Sequence, residues 1–505
     1  MTNHVVAYSR ENGGRVLLLF LLFFLAIYQF ITAGFPAFAI ICTLPFIVLF
    51  AYCTFKYRMF AFWTLIIVNY FLQFKEIYIP IPMSLPNEML QILLLSIAII
   101  DARQTPHFER SANIMLLALI IWCTYCTLEI LNDTCGLGIN FVAWYTGARM
   151  MAFQLLYIFL VFSIYISSPE ILMKYLKLWA FMTLFSAFWT WKQQNIGFTV
   201  AEEHFIHGAG ARTHVIQGGT LIRYFSTFSD AANYGCNAAA AAIAFFIFGI
   251  TTKIKKNKWL FIIIAILVTK SMFASGTRTA IFCMIGGFAA YIVLSRSFKI
   301  AIPAMIIGGI LLFILAFTKI GHGNQQIRRM RSAFDKNDAS ADVRSINQQT
   351  MKKYMKDAPW GIGIGMYGQQ VPANNKYNLM ATIATDSEYV FIWLRTGKIG
   401  ITLFIITMLM MLGGACYIVM FRLKSPSLIG IGGGLCSAFV AIQLGGYANL
   451  VLLQFPNALT FYGGLAIVYI LPYLEPAWIE LEEKRLAEQE ERKRLKLEKK
   501  LASRV

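Results

Sequence analysis

Long apolar runs, each of roughly 17 residues or more, recur from residue 16 to residue 473, separated by short polar interludes. A run of that length crosses a hydrocarbon core about 30 Å thick as a helix. The pattern predicts spans at 16–33, 35–53, 59–74, 84–101, 112–131, 148–167, 172–191, 231–250, 258–274, 279–295, 299–318, 399–421, 427–447 and 450–473. The expected fold is therefore all-α, a polytopic helical membrane protein with about 12–14 transmembrane helices. Residues 1–473 form its membrane domain, which includes one large polar loop at 319–398 with short helices of its own. The first run has no small-residue cleavage site and a second span follows it directly, so it reads as a span and not as a signal peptide.

After residue 473 the pattern changes completely. The segment 474–505 is rich in Glu, Lys, Arg and Leu, with opposite charges three or four positions apart, so it reads as a charged cytoplasmic helix. Its apolar positions are too sparse for a coiled coil, and its basic residues suit contact with anionic membrane lipids. No repeat of solenoid period is present.

Composition agrees with the pattern. The chain is 58% hydrophobic and 14% charged, against about 45–50% and about 25% for a soluble domain. The formal net charge of +19 would suggest nucleic acid in a soluble protein. Here the charge sorts by topology: with a cytoplasmic N-terminus, the inside loops FKYR, DARQTPHFER, the Lys174/Lys177 loop, KIKKNK, SRSFK and FRLK each carry at least two Lys or Arg. No nucleic-acid partner is expected. The larger loops, 193–230 and 319–398, then share the outer face. Most cysteines lie in apolar spans as small hydrophobes, Cys135 lies in an outside loop, and no cofactor or disulfide framework is implied.

The chemistry gathers at the outer ends of the spans. IRYFSTFSDAANYG brings Arg223 and Asp230 to the start of one span; SGTRTA puts Arg278 at the turn between two others; TDSEYVFIWLRTGKIG sets Asp386, Glu388 and Arg395 before a third. Each charge alone is an ordinary interfacial side chain that snorkels to water. Together they put charge from three distant segments on one face at similar depth, and arginines at a membrane boundary that face inward mark a functional site. Arginine forks onto phosphate oxygens, so a lipid phosphate or diphosphate is the partner such residues suit. A glycosyl donor outside the membrane must bring its own leaving group, which a polyprenyl diphosphate does. Its transfer needs cations for the departing diphosphate and a base for the acceptor hydroxyl.

In the large loop, a basic cluster QQIRRMRSAFDK precedes a helix, ADVRSINQQTMKKYMKD, that closes at Ala358-Pro359. Gly361, Gly363 and Gly365 follow in PWGIGIGMYG, where they form a turn, let the backbone approach another group or aim amides at an anion. Asp335, Asp338 and Asp342 match no metal loop and read as loop or cap residues. His204, His207 and His214 crowd the other outside loop without a partner cluster for a metal; one of them reaching the site as a base is the sharper alternative.

These segments resemble the bacterial O-antigen ligases and the related O-antigen and capsule polymerases, over roughly residues 205–400 in four pieces. RYFSTFSDAANYG matches at Arg223, Thr227, Phe228 and Asn233, and SGTRTA at Ser275 and Arg278. The loop helix and its ending match at Arg344, Pro359, Trp360, Gly361, Gly363 and Gly365, and the re-entering segment at Tyr389 and Gly397. The resemblance implies a membrane-integral glycosyltransferase of the bacterial inner membrane, inverting and metal-independent, with its active site facing the periplasm and its C-terminus cytoplasmic. Its donor is a glycan on undecaprenyl diphosphate; its acceptor is lipid A–core for a ligase, or another lipid-linked glycan for a polymerase. Arg223 and Arg278 would hold the diphosphate, with Asn233, Arg344, Trp360, Gly361, Gly363, Gly365 and Tyr389 beside the donor or glycan. The family often carries a histidine eleven residues before the glycine that matches Gly397; this chain has Asp386 there. Asp386 is the expected base and Glu388 the reserve, with ion pairing to Arg395 or Lys398 as the plainer role of both. A transporter or flippase of an anionic lipid or solute would use inward arginines too, but it commonly shows two matching halves, and none is found.

Overall fold

The computed structural model describes residues 13–77, 84–101, 108–216, 221–295 and 339–502, isolated positions between 306 and 323, and the helix Gln325–Arg331. The chain divides into two units, one ending at Thr64 and one beginning at Leu65. In the first, helix α1 (Gly13–Lys56) breaks at Gly34, with φ 76° and ψ −175°. A glycine adopts that φ without a Cβ clash, and the break falls between the two spans expected at 16–33 and 35–53. Helix α2 (Phe60–Phe71) crosses from this unit into the next.

Next in the second unit come α3 (Ser84–Ile100), α4 (Ile114–Leu128), α5 (Phe141–Ala148), α6 (Gln154–Tyr165), α7 (Pro169–Asn195) and α8 (Val200–His207). They are followed by α9 (Ala231–Thr251), α10 (Lys255–Ala274), α11 (Thr279–Ser295), α12 (Gln325–Arg331), α13 (Ala339–Tyr354), α14 (Glu388–Tyr417), α15 (Pro426–Ala448) and α16 (Gly463–Ala502). Eight helical stretches among the described residues are long and apolar enough to cross a membrane, and five shorter apolar helices accompany them. The protein is thus an all-α polytopic membrane protein. Most of the expected span at 299–318 falls outside the described residues.

Helix α9 is the centre of the second unit. It packs against α10, α11 and α15, and small residues make the approach possible. Ala238–Ala242 are all buried. A Cβ on Gly434 of α15 would stand 2.6 Å from the Phe248 ring, and one on Gly287 of α11 would stand 3.0 Å from the Ser437 carbonyl. Apolar lipid gives helices no hydrophobic reason to associate, so close backbone contact of this kind carries the packing.

The helices depart from the expected spans at three places. The helix expected to begin at 399 begins at Glu388 and breaks at Gly397, with φ 65° and ψ −165°. The span expected over 450–473 opens as a non-helical loop, 449–456, and helix resumes just before Ala458. Its apolar letters reflect burial (Val451 and Leu452 are enclosed) and not a helical period. Helix α16 then runs on without interruption through Pro472 and Pro476 into the charged tail, so tail and last span are one rod.

The 449–456 loop is held by buried amides. Asn457 Nδ2 donates to Val451 O at 2.9 Å and to Asn233 Oδ1, and Asn237 Nδ2 donates to Asn457 Oδ1 at 2.7 Å. Replacing Asn457 with leucine strands these partners, each at a cost of about 1–3 kcal/mol. Asn457→Leu is expected to lower the melting temperature of the detergent-purified protein by several degrees. Unchanged melting would show that the amide chain does not hold the loop.

Candidate functional site

The turn between α10 and α11, residues 275–278, gathers arginines from three parts of the chain. Gly276 sits at φ 58°, and a Cβ placed there would lie 3.3 Å from Arg223 Cγ and 3.4 Å from Arg329 Cδ, so two arginine stems flank it. Arg223 donates from Nη1 to Thr213 O at 2.8 Å, from Nη2 to Thr277 Oγ1 at 3.0 Å and from Nε to Ser275 O at 3.3 Å. Arg329, on α12, donates from Nε to Gly276 O at 2.7 Å. Burial lowers the Arg223 pKa, the Asp230 carboxylate opposes that shift, and the nearby charge of Arg278 adds to it. The expected pair Arg223 and Arg278 is therefore brought together, and Arg329 joins it. The sequence shows a basic cluster around 328–331 but no spacing that selects Arg329 from it; only the tertiary contact does.

Behind this turn lies the start of α9. Asp230 caps it, accepting from Ala232 N at 2.8 Å and Asn233 N at 2.9 Å. Asn233, an expected substrate contact, is fully buried: Nδ2 donates to Ser229 Oγ at 3.0 Å and Phe455 O at 3.1 Å, and Oδ1 accepts from Asn457. Here it ties the 449–456 loop to α9. His214 is buried too. Its Nε2 accepts from Ala231 N at 3.1 Å, and its Nδ1 faces Gly210 O at 3.1 Å and Thr213 Oγ1 at 2.8 Å. That arrangement fixes the neutral Nδ1–H tautomer and leaves no ring nitrogen for substrate.

The glycine segment of the large loop serves the second of its three expected roles. Ile362 N and Gly363 N donate to Leu394 O at 2.9 Å and Arg395 O at 3.1 Å, and Lys398 N donates to Pro359 O at 3.0 Å. Gly361 holds φ 81°, and a Cβ on it would overlap the backbone of Arg395 and Gly397. A Cβ on Gly365 would run into the Ala143 carbonyl of α5. The Ile362 and Gly363 amides are thus engaged by the broken helix α14 and do not point at an anion. Trp360 is half exposed, stacks on Tyr125 at 6.3 Å, and accepts from Asn132 Nδ2 through its carbonyl at 2.9 Å. Asp342 and Arg344 lie on α13, with their side chains outside the described residues, as are Asp335 and Asp338.

Around the start of α14 the two carboxylates part company. Glu388 is buried and accepts from Leu452 N at 3.0 Å, holding the 449–456 loop from its other end. Tyr389 donates its hydroxyl to Gln443 Oε1 at 2.8 Å, between helices. Arg395 is enclosed beside the rings of Phe391 at 5.0 Å and Tyr367 at 5.3 Å, and no ion pair joins it to Glu388 among the described residues. Asp386, by contrast, is exposed and faces a cavity of about 270 Å³. Its other walls include Ser345, Asn347 and Gln348 of α13, Thr385, and Tyr447 at the end of α15.

The 449–456 loop links these places. It leaves Tyr447 and Ala448 at the cavity, meets Glu388 through Leu452, and meets Asn233 at the base of the arginine turn through Phe455.

A family model described as O-antigen ligase matches residues 263–405. That span contains Arg278, Arg329, Arg344, the glycine segment, Asp386 and the kink at Gly397; Arg223 and Asn233 lie before it. No curated protein matches the chain.

Burial lowers the pKa of His214 from 6.5 to about 4. The unfolded chain binds that proton near pH 6.5, while the fold resists it until about pH 4. The neutral imidazole therefore contributes fully above pH 6.5, and its contribution falls as pH drops from 6.5 towards 4, by on the order of 3 kcal/mol in total. His214→Gln keeps an acceptor for Ala231 N without titrating. Its melting temperature is expected to fall less than the wild type's between about pH 7 and pH 5. Parallel curves would assign the acid sensitivity elsewhere.

Proposed function

Because a family model described as O-antigen ligase matches residues 263–405, we propose that the chain transfers a glycan from undecaprenyl diphosphate to an acceptor hydroxyl at the periplasmic face of the bacterial inner membrane. The observation that carries this reading is the convergence of Arg223, Arg278 and Arg329 on one turn at the ends of two helices. The carbonyls and hydroxyl of that turn fix two of the guanidiniums, so their charge is positioned before any ligand arrives. Preorganised cations stabilise a leaving group without reorganisation at the moment of reaction.

In the transfer, the acceptor hydroxyl gives its proton to the Asp386 carboxylate as its oxygen bonds to the anomeric carbon. The bond from that carbon to the diphosphate oxygen breaks, and the electron pair leaves with the diphosphate, held by the arginines. Attack from the face opposite the leaving group inverts the anomeric centre. Asp386 takes the role of base over Glu388 because it is exposed at a cavity, while Glu388 is enclosed and bonded to Leu452 N. Ligase and polymerase share this chemistry and differ in acceptor; we favour a ligase, delivering the glycan to lipid A–core.

Arg278→Ala is expected to abolish transfer, by at least about 100-fold, with expression near normal. Surface glycan on a gene-deletion strain carrying the variant measures this, and full glycan would remove Arg278 from the site. The deletion strain itself separates the acceptors: accumulated full-length lipid-linked glycan indicates a ligase, and single repeat units a polymerase. Unaltered glycan in that strain would overturn the reading.

Asp386→Asn keeps the shape of the side chain and removes the proton acceptor. Transfer in purified membranes is expected to fall by about 100- to 10,000-fold with donor binding retained. Wild-type rates in this variant would assign the base to another group.

A further inference from the structure

At the end of α10 opposite the arginine turn, a second group of cations gathers from three helices. Asn257 of α10 donates from Nδ2 to Met173 Sδ of α7 at 3.7 Å, which sets the start of α10 against the start of α7. Lys253, just before α10, pairs with Glu482 of α16 at 3.2 Å, and Glu482 also accepts from Ser427 Oγ of α15. Glu475 of α16 accepts from Lys424 N at 2.7 Å and Ser425 N at 2.6 Å. The base of the charged rod is thus fastened to its neighbours at two levels. Arg485, three residues beyond Glu482, and Lys256 of α10 both lie close enough to Lys177 of α7 for their charges to act on it.

Among the described residues, no ion pair engages Lys177, Lys256 or Arg485. Glu170 faces Arg485 and Lys174, while Glu482 is buried and taken up by Lys253 and Ser427. Lys174, Lys177, Lys256 and Arg485 therefore outnumber the carboxylates beside them. Like charges held together repel, and an anion between them removes that cost. The helix faces that carry the lysines continue as apolar surface. On α7, Phe181 and Phe188 follow Lys177 at four and eleven positions; on α10, Leu260, Ile263 and Leu267 follow Lys256 at four, seven and eleven. Those spacings keep to one side of a helix. All five apolar side chains are exposed, and α7 packs against α10. Cations at the end of two adjoining apolar stripes complement a phospholipid, with its phosphate at one end and its acyl chains along the helices. A free phosphate ion matches the cations alone.

We propose that this corner of α7, α10 and α16 binds an anionic phospholipid of the leaflet on that side, with the headgroup phosphate held by Lys177, Lys256 and Arg485. The loop charges mark that side as cytoplasmic. The site is separate from the arginine turn and does not rest on the transferase reading.

The test is the melting of the full-length protein in detergent, titrated with dioleoylphosphatidylglycerol, with dioleoylphosphatidylcholine or with inorganic phosphate. Phosphatidylglycerol is expected to raise the melting temperature saturably and at lower concentration than phosphatidylcholine, which has the same chains and no net charge. Inorganic phosphate is expected to leave it unchanged. In Lys177→Gln/Lys256→Gln, the half-saturating concentration of phosphatidylglycerol is expected to rise about 25-fold, about fivefold for each cation. Both side chains are exposed and their loss relieves repulsion, so without lipid this variant is expected to melt no lower than the wild type. Should it melt lower, the comparison of the two lipids on the wild type still decides. Arg422→Gln/Lys424→Gln removes the same charge from exposed positions between α14 and α15, and is expected to keep the wild-type titration. Equal response to the two lipids, a matching response to inorganic phosphate, an unchanged titration in Lys177→Gln/Lys256→Gln, or an equal loss in Arg422→Gln/Lys424→Gln each overturns the site.

Discussion

A helix that breaks inside a membrane protein leaves backbone N–H and C=O groups that must find partners. At Gly397 of α14 those partners come from residues 359–363 of the large loop, which lay a short stretch of backbone along the break. The approach is closer than any Cβ would permit, hence glycine on both sides, at 361 and 397. This joint fixes the polar part of the molecule to its helices. A small core packs over it, in which Met351 and Met355 at the end of the loop-helix region meet Ile362, Leu394 and Cys135. Helix α13 is thereby held over Asp386, and the cavity forms between them.

The same constraint explains why so many polar residues near the site face inward. Arg223 satisfies its guanidinium on the carbonyls of residues 213 and 275, and Asn233, Asn237 and Asn457 satisfy one another and the 449–456 loop. Glu388 caps the loop from the opposite side. A buried polar network of this kind is costly if any member is lost and rigid when complete. It ties the 449–456 loop to α9 through Asn233 and to α14 through Glu388.

The contrast between two neighbouring carboxylates shows how tertiary structure sets a side chain's surroundings. Asp386 and Glu388 are two positions apart, so on an extended approach to a helix they face alike, while the helix starting at Glu388 turns that residue inward. Burial then decides. Glu388, enclosed and accepting a backbone amide, anchors the 449–456 loop; Asp386, exposed, lines the cavity beside α13.

The chain itself determined the class of protein, because about twenty apolar residues in a row have few other places to go. It also determined the segments between apolar runs in which charge collects. The tertiary structure decided which charges meet. Nothing in the spacing distinguishes Arg329 from its neighbours Arg328 and Arg331, or reveals that Asn233 and His214 are internal supports, since each depends on contacts between segments well separated along the chain. The apolar letters of 450–456 read as helix for the same reason: hydrophobicity reports burial, and a buried loop and a buried helix share it. Only the path of the backbone, set by where its amides find partners, tells them apart.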